Sequence, residues 1–321
     1  VNRVLLTGAT GFVGSAVLER LVGHPDLELV LAGRRRPVVH ESEAVFFPVA
    51  GLDADTHWGE ALQGIDVVIH TAARVHVMKD AAEDPLAEYR RVNVEGSLAL
   101  ARQAASAGVR RFIFLSSIKV NGERSDPGHS FTAEDQPGPV DPYGRSKWET
   151  EQALHALGQE TGLEIVVIRP PLVYGPGVRA NFLMMMCWLH RRVPLPLGAV
   201  ENQRSLVARD NLVDLIATCI DHPAAANEVF LVSDGEDVTT TELLRRLGEA
   251  MGKPARLIPV PIPLLKGAAL VMGKQPVANR LLGSLQMDIE KTRVRLNWEP
   301  PVSVDEGLRK TADHFRVAGQ C

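Results

Sequence analysis

Tyr143-Gly144-Arg145-Ser146-Lys147 sets a phenol and an ammonium four residues apart, a spacing that puts both on one face of a helix. A free phenol has a pKa of about 10 and is a poor base at neutral pH; a nearby cation favours its phenolate. Bringing it to about 7 takes roughly 4 kcal/mol, at about 1.36 kcal/mol per unit, which a cation in a partly dry cleft can supply. Such a tyrosine can give a proton to, or take one from, a carbinol oxygen while hydride moves at its carbon. The same pair also arises on ordinary amphipathic helices, so its surroundings decide. Ser116 and Ser117 follow the apolar run Arg111 to Leu115. At the carboxyl end of a strand in an open parallel sheet, where ligands sit, a serine hydroxyl can bond the same oxygen; serines there also serve plain turns. Asn93 interrupts a helical pattern, where asparagine is a mediocre former. It either faces water or holds a backbone carbonyl or a water beside Lys147.

Hydride transfer needs a carrier, and the stretch Thr7-Gly8-Ala9-Thr10-Gly11-Phe12-Val13-Gly14 offers a place for one. An apolar run precedes it, and Val13, Val17, Leu18, Leu21 and Val22 follow at helical spacing. Strand, glycine turn and helix form a phosphate site: small residues let the backbone approach, and the helix N-terminus presents free N–H groups. The Gly-x-x-Gly-x-x-Gly spacing departs from the commoner Gly-x-Gly-x-x-Gly. An NAD site normally carries an acidic residue about 20 positions on, for the ribose 2′-hydroxyl. Here the second apolar run ends in Gly33-Arg34-Arg35-Arg36. A 2′-phosphate suits arginine, so NADP(H) is expected over NAD(H), with Arg34 and Arg35 as its ligands.

These groups need a scaffold. Val1 to Leu6, Leu27 to Ala32, Val45 to Val49, Asp66 to His70, Arg111 to Leu115, Ile165 to Ile168 and Glu228 to Val232 read as strands. Between them lie helical patterns, among them Pro85 to Ala107, Tyr143 to Gln159, Asn181 to Arg191 and Asp210 to Ile220. Strands alternating with helices imply parallel pairing, and continuously apolar strands imply helices on both faces. The expected fold is α/β: a doubly wound parallel Rossmann sheet over residues 1–169, to which about 209–232 return. Residues 170–208 and 233–321 would form a smaller, discontinuous substrate domain.

Of the 321 residues, 45% are hydrophobic, and 35 Lys+Arg stand against 39 Asp+Glu. A net charge of -4 gives no reason to expect nucleic acid as a partner. Cys187, Cys219 and Cys321 form neither a metal spacing nor a disulfide framework, so no metal site and a reducing cytoplasm are expected. The chain enters a strand at once, leaving no room for a secretory signal. No apolar run is long enough to span a bilayer. The nearest, Leu257 to Met272, is broken by Pro259, Pro261, Pro263 and Lys266, and reads as a buried helix or inter-domain segment rather than a membrane-surface one. Helix-rich faces would allow a homodimer.

The glycine stretch, His70-Thr71-Ala72-Ala73, Asn93-Val94-Glu95-Gly96-Ser97, Ser116-Ser117, Tyr143-x-x-x-Lys147 and Arg169-Pro170-Pro171-Leu172-Val173-Tyr174-Gly175-Pro176-Gly177 occur in that order. Arg204-Ser205-Leu206-Val207, Asp210-Asn211-Leu212 and Leu296-Asn297-Trp298-Glu299-Pro300 extend the series. Together they resemble the extended short-chain dehydrogenase/reductases, nearest the branch of nucleotide-sugar 4-epimerases and 4-keto reductases. The resemblance implies that Tyr143 is the acid/base, that Lys147 lowers its pKa and holds the nicotinamide ribose, that Ser117 positions the reacting oxygen and that Asn93 orders a proton-relay water. It implies a dinucleotide bound by Gly8, Gly11, Phe12, Val13, Gly14, Ala72, Ala73, Pro170 and Val173 beside Tyr143 and Lys147. Asn181 and Arg204 would contact the diphosphate of a UDP- or dTDP-linked hexose.

Three positions depart from the family pattern. Ile118-Lys119 replaces the Asp-Glu pair of the 4,6-dehydratases, which makes dehydration unexpected. Val120-Asn121-Gly122 replaces Val-Tyr-Gly, and Gly51-Leu52 stands where many relatives carry an Asp, a role left to Asp53 or Asp55. The arginines tilt the expected reaction toward NADP(H)-dependent reduction of a nucleotide-linked 4-keto-6-deoxy sugar, optionally 2-acetamido, in surface-polysaccharide synthesis. A 4-epimerase with retained NAD is the alternative. A non-catalytic dinucleotide sensor is a distant third, because Tyr143, Lys147, Ser117 and Asn93 are all present.

Overall fold

The computed structural model describes residues 2–38, 44–75, 84–126, 128–319 and 321; Val1, expected in the first strand, lies outside them. The larger sheet takes β1 (Asn2–Thr7), β2 (Leu27–Gly33), β3 (Val45–Pro48), β4 (Val67–His70), β5 (Arg111–Leu115), β6 (Glu164–Arg169) and β9 (Glu228–Leu231). The smaller takes β7 (Leu172–Tyr174), β8 (Arg204–Ala208) and β10 (Asp237–Val238). The helices are α1 (Phe12–Leu21), α2 (Pro85–Tyr89), α3 (Ser97–Ser106), α4 (Pro142–Thr161), α5 (Ala180–His190), α6 (Arg209–Asp221), α7 (Thr240–Ala250), α8 (Ile262–Val271), α9 (Gln275–Leu282), α10 (Glu290–Leu296) and α11 (Val304–Ala318).

The larger sheet is parallel throughout, ordered β3-β2-β1-β4-β5-β6-β9. The direction of winding reverses between β1 and β4, and a crevice opens outside the carboxyl ends of strands at such a point. Alternation along β1 fixes which helices cover which face. Val4 and Leu6 pack with Val17 and Leu21 of α1 and Leu212 and Ile216 of α6. Leu5 faces the other way, among Leu100 and Ala104 of α3 and Leu154 and Leu157 of α4. A separate core joins Tyr174, Phe182, Leu206, Leu244, Leu308 and Phe315 around the smaller sheet.

The pattern expected as one helix over Pro85 to Ala107 is three consecutive segments. Between α2 and α3, Arg90–Gly96 winds as a π-helix, a wider turn that propensity does not signal. Two further expectations fail. Cys187 is disulfide-bonded to Cys321 across 134 residues, with Cα atoms 5.8 Å apart, because α11 packs against α5, where Phe315 meets His190. Linear spacing carries no trace of that contact, and the cysteines no longer argue for a reducing compartment. Second, α8 is not a buried helix: Ala269 is its one buried residue, and Leu264, Leu270 and Val271 are exposed. Summed hydropathy reports apolar content, not whether a face finds a partner. No described helix is long and apolar enough to cross a membrane.

Arg111 ties β5 to the end of α6. It is almost fully buried, donates Nε to Glu164 at 2.7 Å and Nη1 to the carbonyls of Cys219, Ile220 and His222 at 2.7, 3.1 and 3.0 Å. The Cys219 and Ile220 carbonyls belong to the last turn of α6, where helical donors run out. Arg111→Met keeps the aliphatic stem and removes every donor. It is expected to cost about 2–4 kcal/mol, read as a lowered urea midpoint; a change below about 0.5 kcal/mol would show the carbonyls to be satisfied by water.

Candidate active site

The crevice at the β1/β4 reversal is a cleft of about 850 Å³. Its floor is the turn from β1 to α1. Gly8 has φ +80°, and a Cβ there would lie 2.6 Å from the backbone N of Ala72; one on Gly14 would lie 2.1 Å from the Gly8 carbonyl oxygen. Neither position can carry a side chain without backbone movement. A Cβ on Gly11 would meet only the Gly8 oxygen, at 3.1 Å. Gly11 caps α1 with no side-chain hydrogen bond, so the first-turn N–H groups are open to an anion.

Gly8, Gly11, Phe12, Val13, Gly14, Arg34, Arg35, Ala72, Ala73, Ser117, Tyr143, Pro170 and Val173 all border this cleft. Arg34 and Arg35 are exposed at the end of β2. Asp53 also borders it, and Asp55 does not; the Asp53 carboxylate accepts from Thr56 Oγ1 at 2.8 Å. Trp58 borders it, and its buried Nε1 has no hydrogen-bond partner. An apolar-walled crevice with a glycine floor, an uncapped helix start, two exposed cations and an unpaired donor fits a dinucleotide.

Asp141 starts α4: its Oδ1 accepts from Gly144 N at 2.7 Å, Pro142 follows, and Lys119 ion-pairs with the same carboxylate. The helix then sets Tyr143, Lys147 and Glu151 on one stripe. Tyr143 borders the cleft together with Ser117. Lys147 lies behind the cleft wall, with Nζ donating to Leu115 O at 2.8 Å and standing 4.4 Å above the Phe114 ring. The expected depression of the phenol by Lys147 is not found. Burial, then Asp141, raises the Tyr143 pKa, and only the Ser117 hydrogen bond opposes them. Burial pushes Lys147 itself down to about 7, so near neutrality it is a weak source of positive charge.

Asn93 does not face water. Its Nδ2 donates to Arg74 O at 3.1 Å and to Ser146 Oγ at 2.9 Å, while Arg74 N donates to its Oδ1 at 2.8 Å. Thr150 Oγ1 donates to the Asn93 carbonyl at 2.9 Å. It therefore locks the strand-end loop over residues 71–75 to α4. Asn181 and Arg204 are not among the residues that border the cleft. Asn181 is exposed in the first turn of α5. Arg204 donates Nη1 to the carbonyls of Arg280 and Gly283 at 2.7 and 3.1 Å, and burial lowers its pKa.

A buried ion pair lies beneath, a pairing that no motif marks. Glu151 and Arg169 are buried and paired, with Nη2 2.6 Å from Oε2. Ser116 donates to Glu151, and Arg169 Nη1 donates to Asn121 Oδ1 at 3.0 Å. The Asn of Val120-Asn121-Gly122 thus finds its use: its Nδ2 reaches Thr132 O at 2.8 Å. A signal for Glu151 was present, since it continues the i, i+4 series from Tyr143 and Lys147.

Residues 4–233 match the model of the NAD dependent epimerase/dehydratase family. A UDP-glucose 4-epimerase of Vibrio cholerae is 47% identical over 98% of this chain and 96% of its own. A UDP-glucose 4-epimerase of Mycolicibacterium smegmatis is 30% identical over 99% of this chain and 100% of its own. Among solved structures, the UDP-glucose 4-epimerase of Thermotoga maritima, determined with UDP-glucose, is similar with a TM-score of 0.77 at 26% identity, over 98% of this chain and 99% of that one.

Behind the cleft, His70 joins β4 to its neighbours, with Nδ1 2.7 Å from Thr7 Oγ1 and Nε2 2.9 Å from Ser97 Oγ. Burial, then the charge of Lys147, pushes its pKa down to about 3. The unfolded chain takes up a proton here below about 6.5 and the folded chain only near 3. Stability is therefore complete above about 6.5 and falls as the pH drops toward 3. His70→Asn keeps a donor and an acceptor but cannot titrate. Its urea midpoint should decline less between pH 7 and pH 4 than that of the parent chain; equal declines would exclude His70 as the source.

Proposed function

The chain belongs to the NAD-dependent epimerase/dehydratase family, and from that premise we propose that it inverts C4 of a UDP-linked hexose while keeping NAD bound. The observation that carries this reading is the 47% identity to a UDP-glucose 4-epimerase over nearly both whole chains. It displaces the preference for reduction that the arginines alone suggested. The sugar nucleotide would lie against residues 170–208 and 233–321, with Asn181 and Arg204 as candidate contacts.

When bound, the oxidised nicotinamide supplies a hydride acceptor and a positive charge beside the phenol, the charge that a buried Lys147 provides poorly. Tyr143 Oη would take the proton of the C4 hydroxyl and return it to the same oxygen after inversion, and Ser117 would hold that oxygen throughout, so that the chain's own acid/base group ends each turnover as it began. Lys147 braces the cleft wall from behind through its bond to the Leu115 carbonyl. Asn93 acts as a positioning residue by fixing the loop over residues 71–75 against α4.

A second reading keeps one specific observation in its favour. Arg34 and Arg35 stand exposed at the cleft, where a 2′-phosphate suits them. They support NADP(H) and reduction of a 4-keto-6-deoxy sugar nucleotide. The protein as purified, given UDP-glucose or UDP-N-acetylglucosamine and no added cofactor, is expected to form the C4 epimer. Stoichiometric NADPH loss seen only with a 4-keto sugar, together with NADPH binding far tighter than NADH, would assign the reductase instead.

Tyr143→Phe removes the proton carrier and leaves the cleft shape. Its kcat should fall about 10³-fold, with the Kd for dinucleotide little changed. Turnover retained within a few fold rejects the role.

A further inference from the structure

Helix α8 turns an apolar face outward. Ile262, Leu265 and Ala269 form its inward row, at i, i+3 and i+7, and Leu265 packs against the core around the smaller sheet. The opposite side carries Leu264 at 64% exposure and Val271 at 89%, flanked by Leu270 at 60% and Met272 at 61%. Val277 extends the band onto α9, which packs beside α8. An exposed apolar band of this extent marks a contact surface.

Its charge says what it contacts. Between Glu249 and Asp288 the sequence contains no acidic residue and five cations: Lys253, Arg256, Lys266, Lys274 and Arg280. Lys266 stands one turn before Leu270, and Lys274 precedes α9; both are exposed, and neither forms an ion pair among the described residues. A second copy of the chain meeting this face across a two-fold axis would set the same cations against each other. An anionic lipid surface instead receives both features, since apolar side chains enter the headgroup boundary while lysines meet phosphates.

We propose that α8 and α9 dock the protein onto an anionic membrane surface, with Leu264, Leu270, Val271 and Met272 inserted and Lys266 and Lys274 on headgroup phosphates. The helix lies on the surface and does not cross it. The inference is independent of the reaction assigned to the cleft.

The full chain is sedimented with vesicles of phosphatidylcholine alone and of phosphatidylcholine mixed with phosphatidylglycerol. Recovery with the anionic vesicles should exceed that with the neutral ones about tenfold and fall as salt is raised. Leu264→Ser with Val271→Ser, and separately Lys266→Glu with Lys274→Glu, should each remove most of the binding. These positions are outside the packed cores, so an unchanged thermal midpoint verifies that the variants are folded. The proposal is overturned by equal recovery with the two vesicle types, or by variants that bind like the parent. Sedimentation velocity showing a dimer that Leu264→Ser with Val271→Ser dissociates would assign the face to a second copy and also overturn it.

Discussion

Glu151 and Arg169 lose nearly all their water in the folded chain, and they lose it together. Removing a carboxylate or a guanidinium from water costs several kcal/mol for each, so the pair persists only with close geometry and with its remaining donors and acceptors filled. Both conditions hold. Arg169 meets the carboxylate through Nε and Nη2 and spends Nη1 on Asn121, and Ser116 completes the carboxylate. The pair thereby fixes four pieces of chain: α4, the end of β6, the end of β5 and the turn after Ser117. Tyr143 and Ser117 face one another because the segments carrying them are anchored one layer down. Replacing one partner alone would strand the other charge and loosen the cleft wall.

The other side of the cleft is governed by backbone contact rather than charge. Gly8 and Gly14 let β1, α1 and the residue after Thr71 approach more closely than any Cβ permits. Thr71 Oγ1 donates to the Thr7 carbonyl at 2.7 Å, closing the floor beneath the point where the sheet reverses. One wall is held by a desolvated ion pair and the other by the absence of side chains. The opening between them is therefore bounded on both sides by closely packed chain.

Much of this was legible in the chain itself. The strands of the larger sheet are short apolar runs, and their parallel pairing follows from alternation with helices. The Tyr143-x-x-x-Lys147 spacing and the Gly8, Gly11 and Gly14 spacing each mark a face of the same cleft. What stayed hidden depends on packing across long separations. Periodicity placed Lys147 near Tyr143 but could not tell that the same burial that brings them together lowers the lysine and raises the phenol. The pairing of Cys187 with Cys321 and the outward turn of α8 are facts of tertiary return, and no local window contains them. The motif around Arg204 likewise does not show that its Nη1 bonds carbonyls at the end of α9, because those carbonyls arrive from about 80 residues further along the chain.

The π-helical stretch over Arg90–Gly96 has a bearing on how this chain tolerates insertions and deletions. A wide turn holds one more residue than the helix around it would, so α2 and α3 run out of phase with each other across it. Shortening the stretch by a single residue would restore an unbroken helix, gaining regular hydrogen bonds, yet would swing Asn93 away from Ser146 and Thr150. Local regularity and the grip on α4 are thus in opposition at this point, and the chain has kept the irregular solution.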